Sequence, residues 1–452
     1  VCGSRRRLVS ATYDGVGARW KEQLSDVSLA VYDQCPQTEE IARKLAILKR
    51  VDSGSFFVMD ASRVESSMEE WNGCMANCAP FYPLSCNDDP LLLQLLTRSN
   101  NCNLHVSSLA ELECALSLVS PSRIVFHSHL LTRKMLKLIA TLQDPLHALV
   151  VDNEDSAVDS YSLNPFQPLL LRVSLSPDSE RVDLAIGMPI EEAIECVPRL
   201  IRCGVPIVGL SVQLMAEGEN MVERGRELIH LLTMMSPCPL STLDVGDGFD
   251  SSTLYDTSSF IQCILENANA THLKLMATPG RFLAASAFTL VTSIVGKKSI
   301  DARVLTRREE DWGREGFVYE TNDSVYGVFS NRMMGEKPRC IALALDDNSM
   351  REEHYSAVLG STRDAIDFPQ RHARLPSLDV GDCLLWKEMG AYAARDEDGL
   401  PVYYYTGRDH WERLKGREER EMMSDGGSEG ETDMESIGDD DDMTECFGRV
   451  FN

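Results

Sequence analysis

No apolar run in this chain of 452 residues approaches the roughly 18 residues that a membrane-spanning helix needs. None of the fourteen cysteines forms a C-x-x-C pair or a Cys/His cluster with zinc-site spacing. The first absence excludes a helical membrane span. The second leaves reduced, mostly buried thiols and gives no metal site. Positive charge is short as well: 44 Lys and Arg face 70 Asp and Glu, a formal net charge of -26. Such a balance argues against nucleic acid or an anionic membrane as partner and favours a basic one. No internal repeat is apparent. The opening residues, Val1 to Arg7, carry neither an initiator Met nor the apolar stretch of a secretory leader, so the expected location is cytoplasmic.

What is present is ordinary globular composition, 43% hydrophobic and 25% charged, in a chain long enough for two domains. Apolar strand-like runs alternate with helical patterns: Phe56-Phe57-Val58-Met59, Phe81-Tyr82-Pro83-Leu84, Ile124-Val125-Phe126, Ala148 to Val151, Leu169 to Val173, Ile207 to Leu210, Ser241 to Val245 and Leu273 to Ala277. Eight such units over roughly 240 residues fit a (β/α)8 TIM barrel better than a Rossmann sheet. After Lys298 short strands follow one another without helices, which predicts a β-domain. From Glu421 onward there are eleven acidic residues against one basic, a net charge of -10, with no apolar period. That tail is expected to be disordered.

One stretch organises the reading: Phe81-Tyr82-Pro83-Leu84-Ser85-Cys86-Asn87, followed by Asp88-Asp89-Pro90. Two aromatics and an apolar pair make a short buried strand, and the polar run marks where the chain leaves it, which in a TIM barrel is the catalytic edge. The segment resembles the FYAVKCN strand of the ornithine decarboxylase and antizyme inhibitor family. Further motifs in the same order strengthen the resemblance: Leu243-Asp244-Val245-Gly246-Asp247-Gly248-Phe249, Thr278-Pro279-Gly280-Arg281-Phe282, Asn322-Asp323-Ser324-Val325-Tyr326-Gly327, and Val380-Gly381-Asp382 with Met389-Gly390-Ala391-Tyr392. The resemblance implies a barrel over 54–297 and a C-terminal antiparallel β-domain over 298–415. That β-domain is completed by the N-terminal segment 1–53, and an acidic disordered tail occupies 416–452.

It also implies a cofactor, pyridoxal phosphate, whose family contacts can be compared position by position. Ser85 stands where the imine lysine would be, and Lys274 lies toward the barrel floor. Thr278 replaces the carboxylate at the pyridine nitrogen, Gln213 the stacked histidine, and Ala216 a phosphate-binding serine. His105, in the place of an aspartate beside the lysine, reads as a lone core or loop histidine. Gly246-Asp247-Gly248 replaces a triple-glycine phosphate loop, placing a carboxylate where phosphate would bind. Arg172, Arg281 and Tyr392 are retained, with Arg281 expected to pair with Asp247. Arg363 replaces the thiol that protonates the carbanion, and Asp396-Glu397-Asp398 replaces a later aromatic segment. These substitutions predict a protein that is no enzyme and holds no cofactor.

A regulatory role in polyamine synthesis is then expected, by binding antizyme. The matching region runs from Arg123 to Val151, with Arg123, Arg133, Lys134 and Lys137 as a basic face; Arg133 and Lys137 fall four residues apart on one side of a helix predicted over 132–142. The alternatives are a pseudo-subunit that regulates an active decarboxylase paralogue, or an amino-acid decarboxylase of altered specificity. Glu180 opposite Asp367 would repel across the family's dimer interface, so a monomer or weak dimer is expected.

Overall fold

The computed structural model describes residues 20–24, 27–48, 54–98, 102–175, 187–215, 220–343, 352–362, 364–393 and 399–415. Ala216, Glu180, Arg363, the 396–398 segment and the tail 416–452 lie outside the described residues.

Among the described residues, eight parallel strands close into a barrel: Cys78–Pro83, Asn103–Val106, Ile124–His127, Ala148–Val151, Leu169–Ser174, Ile207–Ser211, Thr242–Asp244 and Lys274–Ala277. Pairing of Leu275 with Cys78 and of Ile207 with Leu169 completes the circle. The strands are short, and most carry buried aliphatic side chains on both faces, as a barrel wrapped in helices demands. Small polar residues start the helices that follow. Asp89 accepts from Leu91 N at 3.0 Å and Leu92 N at 3.1 Å with Pro90 in the first turn. Ser108 accepts from Glu111 N at 3.2 Å, while Glu111 accepts from Ser107 N at 2.7 Å. Thr132 and Asn153 cap the next two helices. Each cap satisfies amide donors that the helix leaves open.

The second body is a ten-stranded sheet. It draws Val27–Tyr32 from the N-terminal segment, which pairs in parallel with Val402–Gly407, Leu29 facing Tyr404. The N-terminal segment thus completes this domain, as anticipated. The sheet is mixed rather than antiparallel, because Val402–Gly407 runs parallel to both its neighbours and Glu315–Thr321 runs parallel to Glu353–Leu359. Two strand assignments differ from expectation. Phe56–Asp60 pairs with Phe288–Asp301 and Val402–Gly407 in this sheet and is not a barrel strand. Its barrel place is taken by Asn103–Val106, whose alternating half-buried and buried residues lack the aliphatic run used to find the others. No helix among the described residues is long and apolar enough to cross a membrane.

The two bodies are joined at the turn after the first barrel strand. Asn87 Nδ2 donates to Gly390 O at 2.8 Å, Tyr392 N donates to Cys86 O at 2.9 Å, and Tyr404 OH donates to Asp89 Oδ2 at 2.9 Å. Asp89 is fully buried. Asp89→Ala therefore removes both a helix cap and an inter-body charged hydrogen bond, and should destabilise the protein by about 2–4 kcal/mol. Tyr404→Phe should cost about half of that. Urea unfolding of the two variants measures this, and a loss below about 1 kcal/mol for Asp89→Ala would contradict the role given to this turn.

Candidate functional site: the barrel mouth

The C-terminal ends of the barrel strands open on one mouth, where βα loops gather reactive side chains in such folds. Ser85 stands there, exposed between buried Leu84 and Cys86. Burial pushes the Cys86 thiol up to about 12, so it stays protonated. Lys274 is the first residue of its strand, at the opposite end of the barrel, and is exposed. It cannot replace an amine at Ser85.

Gly246 and Gly248 both adopt left-handed backbone, φ 82° and 99°. A Cβ on Gly246 would lie 2.5 Å from Gln213 Oε1, and one on Gly248 would lie 2.9 Å from Met215 Cβ. Gln213 is bound to this loop: its Nε2 donates to Met215 O at 2.7 Å, to Asp247 O at 3.1 Å and to Asp247 Oδ1. Thr278, half-buried, donates its backbone N–H to Gly246 O at 2.8 Å. Asp247 is thus partnered by Gln213. Arg281 turns elsewhere: its Nε lies 2.9 Å from Glu336 Oε1, and its guanidinium sits 5.4 Å from the centre of the Tyr392 ring. The expected Arg281–Asp247 pair is therefore replaced, because Glu336 offers a carboxylate to a half-exposed guanidinium while Asp247 is already engaged.

Next to this loop, Arg172, Ser211 and Asp244 meet from three neighbouring strands, and Gly246 N donates to Asp244 Oδ1 at 3.0 Å. Arg172 Nη1 donates to Ser211 Oγ at 3.2 Å, and Ser211 Oγ donates to Asp244 Oδ2 at 2.7 Å. Burial lifts Asp244 above the ordinary carboxylate range despite the help of Ser211 and Arg172. Arg172 Nε is buried without a hydrogen-bond partner.

His105 is not the lone histidine expected. Its ring centroid lies 5.9 Å from that of His127, which in turn lies 4.8 Å from His129, both edge-on. Burial, reinforced by His127, Arg172 and His129, brings His105 down to about 3, so it is neutral. Asp152 lies 3.4 Å from His127 Nε2 and 3.5 Å from His129 Nδ1. Burial holds His127 below its usual range against the pull of Asp152. Burial opposes ionisation of Asp152, yet the hydrogen bond from His127 and the two imidazoles hold it below the usual carboxylate range. A neutral His127 donating Nε2–H satisfies both shifts. Sequence reading missed this row because its members come from three separate strand ends, and only His127 and His129 are close in the chain.

Of the proposed basic face, Arg133, Lys134 and Lys137 are exposed on the helix Arg133–Ile139. Arg123 is not part of it. Its guanidinium donates to Thr97 O at 3.1 Å, Cys102 O at 2.7 Å and Asn103 Oδ1 at 3.3 Å, which fastens neighbouring barrel segments.

Residues 61–285 match the family model of the pyridoxal-dependent decarboxylase, pyridoxal binding domain. The chain belongs to the ornithine decarboxylase-like family. The ornithine decarboxylase of Caenorhabditis elegans is 25% identical over 419 residues, covering 87% of this chain and 98% of that protein. That of Schizosaccharomyces pombe is 26% identical over 372 residues, covering 78% and 82%. In fold, the chain is similar to the arginine decarboxylase of Paramecium bursaria Chlorella virus, with TM-score 0.67, 22% identity, and 80% and 99% of the two chains covered. The Entamoeba histolytica ornithine decarboxylase gives TM-score 0.62 at 20% identity, with 81% and 98% covered.

Two expectations are thereby corrected. The prediction that the protein is no enzyme is overturned by relatives that are named as decarboxylases, and nothing in them or in the structure shows this family member to be inactive. The prediction of no cofactor is overturned by the matched domain itself, which is a pyridoxal binding domain and points to pyridoxal phosphate. Substituted side chains at the mouth do not by themselves remove a cofactor from a chain that keeps the frame of the pyridoxal binding domain. The residues here fit the group in part. Arg172 with its unpaired buried Nε, Arg281 and Tyr392 suit an anionic ligand held by ionic contacts. Ser85 offers a hydroxyl and forms no imine, so no covalent step through the cofactor can be assigned to this strand end.

The loop geometry is testable. Gly246→Ala forces a left-handed alanine and a close contact, and should cost about 1–3 kcal/mol. Adding Gln213→Ala removes the contact but leaves the backbone strain, so a double-mutant cycle should return part of the loss. Additive costs would show that Gln213 does not fill the loop.

Proposed function

We propose that this chain acts in polyamine synthesis by engaging antizyme through the basic face of the Arg133–Ile139 helix. One observation supports the reading: Arg133, Lys134 and Lys137 all project into solvent from a helix whose Leu136 and Ile139 are buried, in a protein of net charge -26. A local reversal of sign in an acidic molecule steers an acidic partner to that face and raises the association rate. The family resemblance supplies the identity of the partner. Arg123, being spent on carbonyls within the barrel, contributes rigidity to the strand that precedes the helix.

A second reading is decarboxylation of a basic amino acid with pyridoxal phosphate and altered specificity. It draws on the names of the relatives and on the retained Arg172, Arg281 and Tyr392. Titration of the purified full chain with antizyme tests the first reading. Arg133→Glu with Lys134→Glu and Lys137→Glu should weaken binding at least ~10-fold, with a smaller salt dependence than the parent. Equal affinity for parent and triple variant, or no binding at micromolar concentration, overturns it. Carbon dioxide release from ornithine, lysine and arginine, measured with added pyridoxal phosphate, tests the second.

A further inference from the structure

We propose that His127, His129 and Asp152 form a binding site for a zinc-type divalent metal ion at the barrel mouth, with one coordination position left for water. The three residues come from adjacent strand ends. His127 closes the strand Ile124–His127, His129 follows in the loop, and Asp152 follows the strand Ala148–Val151. Their donor atoms all lie within 4.8 Å of one another.

The spacing distinguishes an ion site from a simple hydrogen-bond network. His127 Nε2 and His129 Nδ1 lie 3.4 Å and 3.5 Å from the two oxygens of Asp152. Nitrogen–oxygen hydrogen bonds cluster near 2.9–3.0 Å, so both contacts are slack as hydrogen bonds. Around zinc, with bonds of about 2.0–2.2 Å in a tetrahedron, neighbouring ligand atoms stand roughly 3.3 Å apart. The two nitrogen–oxygen separations, one to each oxygen of Asp152, are therefore close to those that a shared ion imposes.

The ligand set also selects the ion. Two imidazoles and one carboxylate suit zinc and its transition-metal neighbours, whereas magnesium and calcium seek oxygen alone. Three protein ligands with a vacant fourth position are the pattern of sites that activate a bound water, whose pKa falls to about 7. The side chains of His127 and Asp152 are only 12% and 18% exposed, while that of His129 is 59% exposed. The fixed ligands thus line the barrel wall, and the remaining position faces the open side where His129 stands. The proton inventory balances without loss from either ring: His127 carries its hydrogen on Nδ1 and His129 on Nε2 when the other nitrogens bind the ion. Arg172 spends its hydrogen bond on Ser211, which is bound to Asp244, and makes none to the Asp152 carboxylate among the bonds of the described residues.

The test uses the full chain, stripped with a chelator and titrated with zinc alone, with metal counted by mass spectrometry. One equivalent is expected for the parent. His129→Ala and Asp152→Asn, folded by circular dichroism, should each lower affinity by more than the ~100-fold typical of outer-shell changes. His272→Ala, at an exposed histidine away from the mouth, should bind as the parent does. Cobalt in place of zinc should give the intense visible bands of a four-coordinate ion. Unchanged zinc affinity in His129→Ala and Asp152→Asn, or a parent that binds zinc no more tightly than those variants do, overturns the proposal.

Discussion

The buried carboxylate of Asp89 does two jobs at one point, and the architecture hangs on it. It caps the helix that leaves the first barrel strand, and it accepts the hydroxyl of Tyr404 from the other body. A polar group at zero exposure is tolerable only when hydrogen-bonded, so the strand exit, the helix start and the sheet must hold one relative position. Asn87 and Cys86 extend the same seam to Gly390 and Tyr392. Ser85 immediately precedes this clamp.

The mouth carries two chemically different patches, joined where Gly246 N donates to Asp244 Oδ1. On one, Gln213 and Met215 pack into the left-handed loop of Gly246 and Gly248, and Arg281 faces Glu336. On the other, Arg172, Ser211 and Asp244 form a hydrogen-bonded chain, with the edge-on imidazoles of His105, His127 and His129 also at the mouth. The second holds polar groups that are expensive to bury, which is where chemistry concentrates in proteins.

Much of this was legible in the sequence because it is written locally. Aliphatic runs bounded by polar caps marked seven of the eight barrel strands, and ordered motifs marked the family. The missing strand, Asn103–Val106, carries two polar residues in four and has no run to recognise. Phe56–Asp60 opens with four apolar residues and looks like a barrel strand, yet it is buried in a sheet whose partners lie more than two hundred residues downstream. The partners of Arg281 and Arg123 were equally illegible, since Glu336 and the carbonyls of Thr97 and Cys102 are neighbours only in the folded chain. Activity and cofactor were misjudged for a related reason. Substituted side chains stand out in a sequence, whereas the frame that a family keeps is spread over hundreds of positions.

The placement of Val402–Gly407 bears on how the chain is made. That strand lies between Val27–Tyr32 and Phe56–Asp60 and is parallel to both. During synthesis the two early strands leave the ribosome with open hydrogen-bonding edges, and neither acquires this partner until nearly the whole described chain has been made. The barrel, whose strands all lie between Cys78 and Ala277, can close long before that. The nascent protein therefore passes through a stage with a finished barrel and an unfinished sheet, in which the edges of the first strands are sites for chaperone capture or for pairing with another chain.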